Sequence, residues 1–226
     1  MTWRWKHQLF QGFAVFLGLM VSLGELNAEV AQDKSLVVGE FSVGNLENWQ
    51  EKRFSGKTNY TFKERDGRKA LRAISEASAS ALFHREPVNL SNTPFINWSW
   101  MIEQPLSGLD ETQKSGDDYA ARVYVVFAVG PFFWQKRSLT YVWSADQPSG
   151  QIWPNAFTSK ALMLAVNDRS DGAGRWINHK RNVREDIKKY FDLDVSRLEG
   201  VAIMTDTDNS GKRAIAWYGD VRFSAN

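Results

Sequence analysis

The chain has 226 residues and no cysteine, which excludes thiol catalysis, thiolate metal sites, disulfide staples and a lipid-bearing cysteine. A formal charge of +2 exerts no general pull toward nucleic acid or an anionic membrane. The three histidines, His7, His84 and His179, are too few and too scattered for a multi-histidine metal centre.

Residues 1–28 read as an export signal. Arg4, Lys6 and His7 give a basic start, an apolar run follows from Leu9 to Leu26, and Leu26-Asn27-Ala28 offers a small-residue cleavage point before Glu29. The run is short for a complete span, so cleavage is expected. The product is then periplasmic or secreted and has no membrane attachment. Residues 29–36 form a polar, flexible leader, and residues 37–226 are expected to make one domain.

Short runs of period-two alternation follow, separated by turn residues. Val37–Phe41, Trp49–Phe54 and Thr58–Glu64 are the first strands. Asp66-Gly67 is a tight-turn signal that joins the third to Lys69–Ser75. Ala81–Arg85 is another strand, and Phe95–Glu103 places Ile96, Trp98, Trp100 and Ile102 on one face. Residues 104–117 are a polar loop. Tyr119–Val129 lines Tyr119, Ala121, Val123, Val125 and Phe127 along one side and reads as a central strand. Leu139–Ser144 and Lys160–Asn167 continue the pattern. Helical spacing is clear only in Asn182–Phe191, where Val183, Ile187, Tyr190 and Phe191 recur and Asn182 stands as N-cap with Glu185 three residues on. Gly200–Thr205 and Ala214–Phe223 close the chain, the latter beside an N-terminal strand. The class is all-β: a two-sheet antiparallel sandwich of jelly-roll type with one short helix.

Four features carry candidate chemistry. Asp206, Asp208 and Ser210 alternate before Gly211, like the opening half of a calcium loop, but the twelfth position is Trp217 instead of glutamate. The same residues also suit a turn in which Asp and Asn bond their own backbone. In Asp117-Asp118-Tyr119-Ala120-Ala121-Arg122, the side chains of Asp118 and Arg122 share a face, and Arg122 on a central strand needs an acidic or carbonyl partner. Between Gly174 and Asp186, Arg181 and Asn182 lead into the helix, where an anion or merely a cap would fit. Ten tryptophans are many for this length; most belong in the core, and Trp143 and Trp153 are the candidates for an exposed sugar-stacking ring. Serine-hydrolase elbows, phosphate loops, zinc-protease motifs and dinucleotide fingerprints are absent.

Asp117–Tyr124, Tyr141-Val142-Trp143-Ser144, Arg181-Asn182-Val183, Met204–Asn209 and Tyr218-Gly219-Asp220 together resemble a bacterial secreted family, domain of unknown function 3047. The stretches Phe41–Phe54 and Leu71–Ser80 look like the start of carbohydrate-binding jelly rolls. That second resemblance implies a glycan or polar anionic ligand, and a structural calcium between first and last strands near Glu40 and Asp220. The expected function is glycan binding. A hydrolase or lyase using clustered aspartates, and an envelope assembly partner, are the alternatives.

Overall fold

The computed structural model describes residues 35–130, 132 and 135–226. The expected signal and all but the end of the expected leader lie outside these residues. Strand β1 (Ser35–Gly39) begins two residues before the sequence reading placed it and runs into a 3-10 turn at Phe41–Val43. Next come β2 (Trp49–Ser55), β3 (Asn59–Arg65) and β4 (Arg68–Glu76). Asp66 and Gly67 both have positive φ, 54° and 71°, as a two-residue hairpin turn of the I′ kind requires. The chain continues through β5 (Ala79–His84), β6 (Val88–Asn89), β7 (Phe95–Ile102), β8 (Arg122–Ala128) and β9 (Lys136–Trp143). After them come β10 (Ile152–Asn155), β11 (Thr158–Asn167), β12 (Ile177–Asn182), helix α1 (Val183–Phe191), β13 (Arg197–Leu198), β14 (Gly200–Asp206), β15 (Arg213–Tyr218) and β16 (Val221–Ser224).

Two seven-stranded sheets result, together with a small β6–β13 pair. The first sheet runs β1-β16-β7-β15-β4-β3, with β12 on the other side of β7. Strands β15 and β16 are one run, as the sequence suggested, interrupted by a bulge. Tyr218 lies opposite Trp100 and Arg222 opposite Asn97, so the chain carries one extra residue at Gly219-Asp220. The second sheet runs β10-β11-β9-β8-β14-β5-β2. All pairings are antiparallel except β9 with β11, which are parallel. The expected all-antiparallel arrangement fails there because β10 takes the sheet edge and β11 turns back between it and β9.

The core fills the space between the sheets. Ile96, Trp98, Trp100 and Ile102 of β7 face Val123, Val125 and Phe127 of β8 across it, in the alternation the sequence shows. Helix α1 closes one end through Val183 and Ile187, and Phe191 meets Phe127 edge-on at 5.1 Å. Its N-terminus is capped by Asn182, which accepts from the Glu185 amide at 3.1 Å. Among the described residues, no helix is long and apolar enough to cross a membrane.

Candidate functional site on the outer face of the second sheet

Inward-pointing odd residues on β8 leave Arg122, Tyr124 and Val126 on the outer face. On β14, Val201 and Ile203 likewise point inward, which leaves Met204 and Asp206 outward. Met204 pairs with Arg122 in register, which brings Asp206 beside the Arg122 guanidinium. Arg122 Nε donates to Asp206 Oδ1 at 2.8 Å, and its Nη2 contacts the other carboxylate oxygen. Nη1 lies 3.9 Å from Asp117 Oδ2. Both partners are buried, with side chains 4% and 1% exposed. The rings of Tyr119 and Tyr124 flank the guanidinium at 4.6 and 5.9 Å. Arg122 thus has the acidic partner its sequence position demanded, and a two-pronged pair of this kind is stable in a dry site only because each charge is matched.

Asp118 is fully buried and organises the following loop. Its carboxylate accepts from the Asn209 amide (3.2 Å), Asn209 Nδ2 (3.1 Å) and the Ser210 amide (2.6 Å). Asp118, Asp206 and Asp208 each present an oxygen within 4.8 Å of the others, so this group can hold a metal ion. Burial, then repulsion from Asp118, raises the Asp208 carboxyl above the ordinary range. Ser210 lies on the same loop, and its Oγ accepts from the Lys212 amide at 3.4 Å. Asp206 and Asp208 of the loop pattern thus meet in one group. The third carboxylate comes from Asp118, distant in sequence. Glu40 and Asp220 bond separately, Glu40 to Asn45 and Asp220 to the Ser42 amide and hydroxyl.

Over this charged floor lies a pocket of about 450 Å³. Tyr124, Met163 and Met204 form its apolar base, with Phe54 and Phe157 at its sides. Phe54 and Phe157 are each 54% exposed, unusual for large apolar rings. Asp117, Asn155, Asp208 and Asn209 supply polar groups. Asn155 Nδ2 holds both oxygens of Asp117 at 2.9 Å. Burial raises the Asp117 carboxyl, and Arg122 and Asn155 pull it back.

Other sequence candidates lie elsewhere. Trp143 is in the inter-sheet core, its Nε1 donating to the Asp168 carbonyl at 3.2 Å. Trp153 is 5% exposed, stacks on Tyr119 and donates to the Glu111 carbonyl at 3.2 Å. Both indoles are buried; at the pocket the exposed rings are Phe54 and Phe157, and Tyr124 is half-buried. Arg181 turns inward from β12 and grips Asp186 at 2.9 and 2.5 Å, while Tyr141 donates to the same carboxylate at 2.9 Å. Arg181 and Asn182 serve the start of the helix, which leaves no open anion site there.

Two groups escaped the sequence reading. Glu111, in the polar loop, is 1% exposed, accepts from the Ala145 amide at 2.7 Å and makes a short bond with Ser144 Oγ. Burial raises its carboxyl to about 7. His179 stacks on Trp98 at 4.7 Å and contacts Asn167 Oδ1 through Nε2, and burial lowers it to about 4. Single polar residues in loops or on edge strands carry no pattern that would mark them as buried.

A family model described as a protein of unknown function (DUF3047) matches residues 47–222. The chain belongs to that family. No curated protein matches it. Among solved structures it is similar to CBM28, a carbohydrate-binding module specific for non-crystalline cellulose. That match has 15% identity and a TM-score of 0.47, covering 83% of this chain and 93% of that one. A family 30 carbohydrate-binding module of a Clostridium thermocellum cellulosomal cellulase matches with 11% identity and a TM-score of 0.45, covering 86% and 94%. A thermostable cellulase derived from Cel12A of Rhodothermus marinus matches with 11% identity and a TM-score of 0.46, covering 84% and 96%.

Proposed function

We propose that this is an exported binding protein that holds a glycan in the pocket on the outer face of the second sheet. The observation that carries this reading is one cavity combining exposed aromatic rings with fixed carboxylates and amides. A sugar ring offers apolar C–H faces and a rim of hydroxyls. Phe54, Tyr124 and Phe157 suit the faces, and Asp208, Asn155 and Asn209 suit the hydroxyls. Arg122 and Asp206 hold the floor rigid, which lowers the ordering cost of binding. The export signal read in residues 1–28 supports this reading, since glycans are found in the periplasm and outside the cell.

A hard divalent cation, calcium in particular, suits the Asp118, Asp206 and Asp208 group and would relieve the repulsion between Asp118 and Asp208. Catalysis by these aspartates has less support. Asp118 is committed to loop amides and Asp206 to Arg122, so neither is a free acid or base.

Calorimetric titration of the full chain with a panel of neutral oligosaccharides tests the reading. Binding should weaken about tenfold or more in Tyr124→Ala and in Phe157→Ala. Affinity unchanged in both variants would remove the pocket from consideration, and release of reducing ends during titration would favour the hydrolase.

A further inference from the structure

The outer face of the first sheet carries a second groove, of about 500 Å³. Gly219 and Asp220 of the bulge line it. A Cβ on Gly219 would lie 2.2 Å from Ser99 Oγ, so a side chain there would meet the floor of the groove. The Gly219 amide instead bonds the Ser99 carbonyl at 2.9 Å, and Ser99, Asn97 and Asn178 line the space with a hydroxyl and two amides.

Four cations surround this floor: Arg68, Lys69, Lys180 and Arg222. Arg68 lies over Trp176 at 4.7 Å and donates to Ser99 Oγ at 3.1 Å, so its guanidinium is held in place. Lys180 lies over Phe95 at 5.0 Å, and Lys69 donates to the Val43 carbonyl at 3.3 Å. Some arginines elsewhere on the surface pair with carboxylates, Arg184 with Asp194 and Arg213 with Glu76. Among the described residues, none of these four has a carboxylate within 4.0 Å. Two acids, Glu40 and Asp220, line the same groove, so its four cations leave a net charge of +2 (four minus two). Asp220 is held by the Ser42 amide and hydroxyl at 2.7 and 2.6 Å, and Glu40 accepts from Asn45.

We infer that this groove is a second, charge-selective site that takes an acidic saccharide of the uronate type. Gathering unpaired cations in one concave place is unfavourable unless an anion completes it. Guanidinium groups fit carboxylates in two-pronged fashion, and the amides and Ser99 suit sugar hydroxyls. The volume exceeds that of a single small oxyanion and suits a short oligosaccharide. The groove lies on the opposite sheet from Tyr124, so the two sites are separable.

The test is calorimetry of the full chain with tetragalacturonate and with its neutral counterpart, galactotetraose. Tetragalacturonate should bind, and more weakly at high salt. Lys180→Gln with Arg222→Gln should weaken it about tenfold or more, whereas Tyr124→Ala should leave it unchanged. Arg68→Gln should act in the same direction; if loss of the Trp176 contact prevents folding, the exposed pair alone decides. No binding, equal binding of the neutral oligomer, or loss of binding in Tyr124→Ala overturns the inference. Binding to phosphatidylglycerol vesicles without binding to tetragalacturonate also overturns it, in favour of a lipid surface.

Discussion

Among the described residues, Arg122→Met removes the one cation paired with a carboxylate that is 1% exposed. Leaving one partner of a buried pair alone costs about 3–5 kcal/mol. For a domain of this size each kcal/mol moves Tm by about 2–4 °C, so the expected fall is about 6–20 °C. Asp206→Leu alone strands the guanidinium, though Asp117 at 3.9 Å and the Asp117 carbonyl at 3.4 Å soften that loss. The double variant Arg122→Met with Asp206→Leu removes both charges and replaces them with apolar volume. It should therefore be more stable than the sum of the singles by at least about 2 kcal/mol. Urea unfolding followed by tryptophan fluorescence, at low and high salt, measures all four proteins. A coupling below about 1 kcal/mol that shrinks further with salt is the signature of a solvated surface pair, and it would refute the buried-floor argument.

Glu111 and His179 act in opposite directions. Burial raises Glu111 from 4.5 to about 7, so the folded state keeps a proton that the unfolded chain releases; its stabilisation is full below pH 4.5 and lost as pH rises to 7, about 3 kcal/mol in all. His179 is lowered from 6.5 to about 4, so its contribution is full above pH 6.5 and lost as pH falls to 4. Between these limits the two contributions nearly cancel in the wild type. Glu111→Gln should expose a curve rising with pH, and His179→Gln one falling with pH; variants that both track the wild type in pH-dependent urea melts would contradict the burial of these groups. Calcium should raise Tm in thermal melts of the full chain and should fail to do so in Asp208→Asn; an equal rise in both places the ion elsewhere.

Much of the fold was legible because burial imposes a period of two. Ile96, Trp98, Trp100 and Ile102 announced their face, and Val123, Val125 and Phe127 announced theirs. Strand β12 was not legible. Its inward positions include His179 and Arg181, half-buried polar groups that meet Trp98 and Asp186, so no apolar alternation marks it. Pro154 likewise hid the edge strand β10. At the site, Arg122, Asp118, Asp206 and Asp208 were named from sequence, and they meet because the start of β8 lies beside the end of β14. The pocket-lining rings were not named. Phe54, Tyr124 and Phe157 are single aromatics on three separate segments, and only the sheet order brings them to one pocket. Tryptophan number misled for a plain reason: Trp143 and Trp153 are large, and the core takes large rings first.

Hydrogen exchange of the full chain with and without a bound neutral oligosaccharide tests the glycan-binding account most directly. Protection should gather in residues 117–124, 155–163 and 204–209, which surround the pocket. Protection confined to the first sheet, or none at saturating ligand, would contradict it.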